Sequence, residues 1–119
     1  MLRPMSRTIL YHNPRCSKSR AALALLEERS ITPQIVRYLE TPLDRQGLET
    51  LRRQLGLPPK EWIRKNEAVY REVGLSDQSS DDELLDAMAA HPVLMERPIV
   101  VRGERATVGR PPERILDLL

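Results

Sequence analysis

The amino-acid sequence predicts an α/β protein in which a βαβ unit and a ββα unit flank an inserted block of helices. Three observations predict this class. The first third of the chain alternates strand, helix and strand patterns, residues 41–95 show helix patterns only, and the last quarter returns to two short strands and a helix. The chain has 119 residues, a length typical of one domain. We therefore expect a single domain over residues 1–119, with a helical insertion at about residues 41–95.

The first unit begins with residues 7–12, which are rich in β-branched and aromatic side chains and end at the turn formed by Asn13 and Pro14. Residues 17–29 repeat apolar side chains at helical spacing, and residues 34–39 have the pattern of a second strand. Because a helix connects the two strands, we expect them to be parallel.

The inserted block carries its own signals for helix ends. Thr41 is a residue type that favours the N-cap and Pro42 follows it, so a helix should begin here and end at Gly56. Ser80 and Glu83 have the spacing of a capping box, in which each side chain binds the other residue's backbone N–H, and they predict the start of a later helix.

The sheet resumes after the insertion. Residues 98–102 form an apolar strand, Gly103 and Glu104 suit a two-residue hairpin turn, and residues 105–108 form the partner strand. A final helix is expected from Pro111. These elements predict a mixed four-stranded sheet with helices on its faces, and the order βαβ-ββα is the topology of the thioredoxin-like fold.

The composition argues against several classes of protein. The 19 Lys and Arg residues against 17 Asp and Glu leave a net charge of +2, which does not support a nucleic-acid-binding protein. No stretch approaches the ~18–20 apolar residues of a membrane helix and the start lacks a secretory signal, so we expect a cytoplasmic protein. The single cysteine excludes an internal disulfide, a dithiol pair and a four-cysteine zinc site. We expect no bound metal or cofactor.

The lone cysteine occupies a position that favours a reactive thiolate. Cys16 follows a strand and a turn and opens a helix, where unpaired backbone N–H groups and the helix dipole stabilise an anion. Arg15, Lys18 and Arg20 add positive charge nearby. Such settings lower the pKa of a cysteine from its ordinary ~8.5. His12, at the end of the preceding strand, either lowers the pKa of Cys16 further or only ends the strand, and we favour the first interpretation.

Neighbouring residues narrow the chemistry of this thiol. Ser19 stands where a dithiol oxidoreductase carries its second cysteine, so a mixed disulfide at Cys16 has no internal thiol to resolve it. A phosphatase-type loop would need arginine at position 22, which is Ala22. Any ligands for an oxyanion must therefore come from arginines distant in the sequence.

Four motifs occur in order along residues 7–119. They are His12-Asn13-Pro14-x-Cys16-x-x-Ser19-Arg20, Ile63-Arg64-Lys65-Asn66-Glu67-x-x-Tyr70, His91-Pro92-x-Leu94-x-x-Arg97-Pro98-Ile99-Val100-Val101 and Gly109-Arg110-Pro111. Together they resemble the glutaredoxin-coupled arsenate reductase family. The fold of that family, a thioredoxin-like sheet with a helical insertion, agrees with the elements predicted above.

The resemblance implies a mechanism and a set of site residues. Cys16 would attack the arsenic atom of bound arsenate, and glutathione, as cosubstrate, would displace water on the adduct. Arsenite would then leave, and glutaredoxin would reduce the remaining Cys16–glutathione disulfide. By the motif match, Arg64, Arg97 and Arg110 would bind the oxyanion, with His12 beside them. Arginine suits this role because its planar fork presents paired donors to an oxyanion.

Each of these arginines also has a plainer interpretation. Arg64 could be an ordinary arginine on a helix surface, and Arg110 could only cap the final helix. Arg97 precedes Pro98, and in thioredoxin-like folds the proline at this point usually follows a cis bond, so we predict a cis peptide at Pro98.

Two other functions stay open at this point. Relatives of the fold act as redox-responsive regulators that bind RNA polymerase, although those usually carry a Cys-x-x-Cys switch and position 19 is serine. The chain could also reduce another substrate, such as glutathione mixed disulfides on proteins. We expect a monomer, because nothing in the sequence points to an obligate interface.

Overall fold

The computed structural model describes residues 7–119, so the first six residues of the predicted domain lie outside the described part. The chain divides into two compact units. The sheet unit consists of the described residues up to Arg37 together with Arg97–Leu119, and the helical unit is Tyr38–Glu96.

The sheet unit contains all four strands. Its elements, in chain order, are β1 (Thr8–Tyr11), α1 (Ser17–Glu28), β2 (Gln34–Val36), β3 (Ile99–Arg102), β4 (Arg105–Val108) and a closing 3-10 helix (Pro112–Leu118). The strand order is β2-β1-β3-β4. β1 and β2 are parallel, whereas β1–β3 and β3–β4 are antiparallel. This is the predicted mixed sheet, and the thioredoxin-like fold class is confirmed.

The strand register decides which loops meet. Tyr11 pairs with both Val36 and Ile99, and Ile99 pairs with Val108. These four residues form one row across the sheet, which we call the Tyr11 edge. The chain leaves β1 and β2, enters β3 and leaves β4 at this edge. At the other end of β1, Thr8 pairs with Arg102, and we call this end the Thr8 edge.

One apolar cluster holds the sheet unit together. Leu10 and Val100 face each other on neighbouring strands, and Ala22 and Leu26, four residues apart on α1, pack with them. Ile115 of the closing 3-10 helix completes the cluster, and all five residues are fully buried. Removing this apolar surface from water is the main force that seats α1 and the closing helix.

The helical unit contains α2 (Arg45–Leu55), α3 (Ala68–Glu72) and α4 (Asp81–Ala90). Its 3-10 turns are Pro59–Glu61 and Pro92–Leu94. An isolated antiparallel bridge joins Ile63 and Met95.

Two of the predicted helix ends in this unit are confirmed. Gly56 ends α2 in the left-handed conformation, with a φ of 66°, which glycine adopts without steric cost. At the start of α4 the Ser80 backbone N–H donates to Glu83 Oε1 at 2.9 Å, and the Glu83 N–H donates to Ser80 Oγ at 3.1 Å. The capping box therefore forms as predicted.

The predicted start of α2 is wrong. Asp44, not Thr41, is the N-cap, and its carboxylate accepts the Gly47 N–H at 2.7 Å. Asp and Thr both favour this position, and the sequence pattern did not distinguish between them.

Three other boundaries differ from the sequence pattern. β2 ends at Val36, because β1 ends at Tyr11 and offers no partner beyond it. The closing helix is a 3-10 helix that begins at Pro112. The Arg97–Pro98 bond is cis as predicted, and the bond before Pro111 is also cis, which the sequence did not indicate. Among residues 7–119 no helix has the length and apolar character needed to cross a bilayer.

Candidate active site

Cys16 is the N-cap of α1 and lies in the loop that leaves β1 at the Tyr11 edge. Its backbone N–H donates to the Asn13 carbonyl at 2.9 Å, and its carbonyl accepts the Arg20 N–H at 3.0 Å. The Asn13 side chain accepts the Arg15 N–H at 3.0 Å, so one asparagine holds the loop from both sides. The thiol is partly exposed, as a nucleophile must be.

The pKa of the Cys16 thiol lies below its ordinary value. Burial, the largest single influence, raises this pKa, but several groups together outweigh it. The backbone N–H groups of Ser19 and Lys18 and the hydroxyl of Ser19 stabilise the thiolate, and the positive charge of Arg110 acts in the same direction. The helix start thus stabilises the anion, as expected for unpaired N–H groups at an N-terminus.

Ser19 contributes more than the sequence indicated. Its side chain is fully buried, and its Oγ accepts the Asn13 N–H at 3.4 Å while the hydroxyl also stabilises the Cys16 thiolate. Sequence reasoning used position 19 only to exclude a second thiol. The available signal was its spacing, because the third residue after an N-cap directs its backbone N–H towards the cap side chain.

The charge that acts on Cys16 is not one of those predicted from the local sequence. Lys18 acts through its backbone N–H, whereas Arg110, far away in the sequence, supplies the positive charge that lowers the pKa. Arg20 instead donates from Nη1 to the Pro14 carbonyl at 2.9 Å and so holds the loop.

Arg97 and Arg110 lie together at the Tyr11 edge. Arg97 precedes β3 and Arg110 follows β4, and Arg110 Nη1 donates to the Arg97 carbonyl at 2.8 Å. Between them, the Gly109 N–H donates to the Pro98 carbonyl at 2.8 Å. A Cβ at position 109 would lie only 2.9 Å from Pro98 Cγ, so this close packing requires glycine. The fold therefore brings Cys16, Arg97 and Arg110 to one edge of the sheet unit.

His12 also lies at this edge, but as a buried residue with 6% of its surface exposed. Its backbone N–H donates to the Val36 carbonyl at 2.9 Å, and Nδ1 has no hydrogen-bond partner among residues 7–119. Burial, followed by the charges of Arg37 and Arg20, lowers the pKa of His12. The lowered pKa disfavours the protonated imidazole, whose positive charge would be needed to stabilise the Cys16 thiolate. A role for His12 at the site stays a prediction.

Arg64 belongs to the helical unit and lies between the Ile63–Met95 bridge and α3. Its backbone N–H donates to the Leu94 carbonyl at 2.7 Å. Its guanidinium contacts two carboxylates, with Nε 3.1 Å from Glu67 Oε1 and Nη1 3.0 Å from Glu96 Oε1. These contacts hold the side chain in place, and its predicted role as an oxyanion ligand stays a prediction.

A cysteine with a lowered pKa at the N-cap of the first helix of a thioredoxin-like sheet, with arginines at the same edge, is typical of proteins that use a single nucleophilic cysteine on anionic substrates. Comparison with known proteins identifies the family within this class. The ArsC family profile matches residues 11–118, and the chain belongs to the ArsC family.

Similar proteins match over almost their whole length. An arsenate reductase of Neisseria meningitidis serogroup A is 50% identical over 92% of this chain and 96% of its own. The Escherichia coli K12 protein YfgD is 48% identical over 92% of this chain and 94% of its own. The solved structure of an arsenate reductase from Vibrio cholerae superposes with a TM-score of 0.92 at 48% identity, covering 98% of this chain and all of that one.

Proposed function

We propose that this protein is an arsenate reductase in which Cys16 is the nucleophile. The observation that carries the proposal is the position of Cys16 at the N-cap of α1, at the same sheet edge as Arg97 and Arg110, where the charge of Arg110 helps to lower the pKa of the thiol. Relatives in Neisseria meningitidis and Escherichia coli, 50% and 41% identical, bear the name arsenate reductase. A thiolate beside arginines suits this substrate, because arsenate is a tetrahedral anion with an electrophilic central atom.

The first step forms a bond between sulfur and arsenic. Arg97 and Arg110 bind arsenate oxygens and draw electron density away from arsenic. The Cys16 Sγ lone pair attacks arsenic, and one arsenate hydroxyl leaves as water after it takes up a proton. Arsenic remains in the +5 state in this adduct.

The second stage reduces arsenic with an external thiol. Glutathione displaces a further water on the adduct, and its sulfur then joins the sulfur of Cys16 in a disulfide. Both sulfur–arsenic bonds break, and two electrons remain on arsenic, which leaves as arsenite. Glutaredoxin reduces the Cys16–glutathione disulfide and restores the thiolate. The single cysteine of the chain supports an external reductant, because an internal disulfide cannot form.

One assay tests this proposal. Purified protein is mixed with arsenate, glutathione, glutaredoxin, glutathione reductase and NADPH, and NADPH oxidation is followed with Cys16→Ser as the control. We expect arsenate-dependent turnover that the variant lacks. Turnover with thioredoxin and thioredoxin reductase in place of glutathione and glutaredoxin would reject the glutathione step. No turnover with either system would reject arsenate as the substrate.

The thiol chemistry has a test of its own. The rate of Cys16 alkylation, measured against pH, should report a pKa below the ordinary ~8.5. An ordinary pKa would remove the basis for a Cys16 nucleophile. The regulatory alternative is not favoured, because relatives 50% and 41% identical to this chain bear the name arsenate reductase. A glutathione-dependent cycle belongs to a reducing compartment, and we accordingly propose a cytoplasmic location.

A further inference from the structure

A pocket opens at the Thr8 edge, at the end of β1 away from Cys16. Its volume is about 490 Å³, and it lies between the start of β1, the connection from α1 to β2 and the end of β3. All of its lining residues belong to the sheet unit. The length of β1, roughly 10 Å at 3.3 Å per residue, separates this end of the strand from the loop that carries Cys16.

Two arginines give this pocket a positive charge. Arg7 and Arg102 both line it, and among residues 7–119 no Asp or Glu does. Arg102 Nη1 donates to Thr8 Oγ1 at 3.1 Å, and the Arg7 carbonyl accepts the Gly103 N–H at 3.1 Å, so the fold holds both residues at the rim. Within residues 7–119 neither guanidinium forms an ion pair with a carboxylate.

The remaining wall supplies neutral donors and one apolar side chain. Ser30, Thr32 and Gln34 contribute hydroxyl and amide groups, and Ile31 contributes apolar surface. The pocket borders the carbonyl end of α1, which carries about half a negative charge. The Ser30 and Ile31 N–H groups donate to carbonyls of that end at 2.9 Å, and the two guanidinium charges outweigh the remaining dipole.

We propose that this pocket is a second anion site and that it binds the phosphate group of a small phosphomonoester. Two guanidinium forks with hydroxyl donors suit a dianionic phosphate. An ion of five heavy atoms fills roughly 150 Å³, taking about 30 Å³ for each water-sized group, so inorganic phosphate would leave most of the 490 Å³ pocket empty. The remaining space and Ile31 accommodate an organic group.

The site binds its ligand without reacting with it. In the described part of the chain no cysteine or histidine lines the pocket, and Cys16 lies at the other edge of the sheet. The proposal is therefore independent of the arsenate chemistry.

An NMR titration locates the ligand and identifies its class. Phenyl phosphate and inorganic phosphate are each added to the intact ¹⁵N-labelled protein, and amide shifts are followed at both sheet edges. We expect phenyl phosphate to shift the amides of the lining residues saturably, with a lower Kd than inorganic phosphate; these are Thr8, Ser30, Ile31, Thr32, Gln34 and Arg102. Shifts confined to Cys16 and Arg110 would overturn the second site. Equal Kd values for the two ligands would overturn the assignment to a phosphomonoester.

Matched variants test the role of the arginines. Arg102→Gln should raise the Kd for phenyl phosphate about tenfold, because it removes one charged donor. Arg105→Gln is the control, since Arg105 pairs with Arg102 across the hairpin, is exposed and does not line the pocket. If Arg102→Gln fails to fold, Arg7→Gln, at an exposed position, replaces it. An unchanged Kd in the folded Arg102 or Arg7 variant would overturn the proposal.

Discussion

Arg110 of the sheet unit and Arg64 of the helical unit carry the same guanidinium group, but the two units hold them with different partners. Arg110 donates to the Arg97 backbone carbonyl, and its charge lowers the pKa of Cys16. Arg64 lies between the carboxylates of Glu67 and Glu96. The charge of Arg110 acts on the thiol of Cys16, whereas the carboxylates of Glu67 and Glu96 hold Arg64 in place and oppose the field of its guanidinium. The comparison predicts that Arg110 contributes more to the chemistry than Arg64.

The largest expected effect is that of Arg110→Ala. This change removes the proposed charged donor to the oxyanion and a charge that stabilises the thiolate. It should lower kcat/KM for arsenate by about 10²–10³-fold and raise the pKa of Cys16 in alkylation. Arg110→Lys should keep more of the pKa effect than of the activity, because lysine keeps the charge but not the fork. Arg114→Ala, an exposed arginine of the closing helix, is the control; an equal loss there would remove the special role of Arg110.

A smaller loss of activity is expected for Arg64→Ala. Because the two carboxylates beside Arg64 already oppose its charge, we expect kcat/KM to fall only about tenfold, the effect of losing one charged hydrogen bond. The unfolding free energy should fall by about 1 kcal/mol or less, since Glu67 and Glu96 lose their partner at a partly exposed site. Lys65→Ala, an exposed neighbour, is the matched control. A loss as large as that of Arg110→Ala would show that the carboxylates do not weaken Arg64.

Ser19→Ala tests how far an uncharged hydrogen-bond donor, the Ser19 hydroxyl, stabilises the thiolate of Cys16. It removes the hydroxyl that stabilises the Cys16 anion but leaves the backbone N–H groups of Ser19 and Lys18 in place. The pKa of Cys16 should therefore rise, and alkylation at pH 6 should slow by a few-fold while the rate at pH 10 stays unchanged. Ser17→Ala is the control, because it changes an exposed serine of the same helix turn and should leave the pH profile of Cys16 alkylation unchanged. If both variants have the same pH profile as the original protein, the Ser19 hydroxyl does not stabilise the thiolate of Cys16.

The smallest expected effect is on stability in mild acid. The fold lowers the pKa of His12, so below about pH 6.5 the unfolded chain takes up a proton before the folded chain does. The unfolding free energy should therefore fall as the pH drops from about 6.5 to the lower pKa that His12 has in the folded state. Above about pH 6.5 the stabilisation that the fold gains from neutral His12 should be fully present. Urea unfolding of His12→Gln should show a shallower decline over this range. A parallel decline in both proteins would assign the effect to other groups.

Features encoded in short stretches were predictable. The strands, α1, the turn at Gly103, the stop at Gly56 and the capping box of α4 each depend on residues that are neighbours in the sequence. The start of α2 was missed because two residue types that favour the N-cap, Thr41 and Asp44, compete within a few positions. The end of β2 was missed because the length of its partner strand decides it.

The candidate site also has features that the local sequence predicts and one that it does not predict. The position of Cys16 at a helix start, and hence the stabilisation of its thiolate by Lys18 and Ser19, follows from the local pattern. The source of the positive charge does not. Local sequence favoured Arg15, Lys18 and Arg20, whereas the charge that lowers the pKa of Cys16 is that of Arg110.

By itself, the sequence determined the fold class, the single thiol and the helix end on which that thiol lies, because these depend on composition, periodicity and caps within a few residues. Only the tertiary structure decided that Arg97 and Arg110 meet at the Tyr11 edge and that Arg7 and Arg102 share the opposite one. Arg7 and Arg102 are far apart along the chain, and Arg97 and Arg110 lie on opposite sides of the β3–β4 hairpin. The register of β3 against β1 and β4 brings each pair together. Register is a property of the packed sheet, in which a shift by one residue would turn every side chain to the other face.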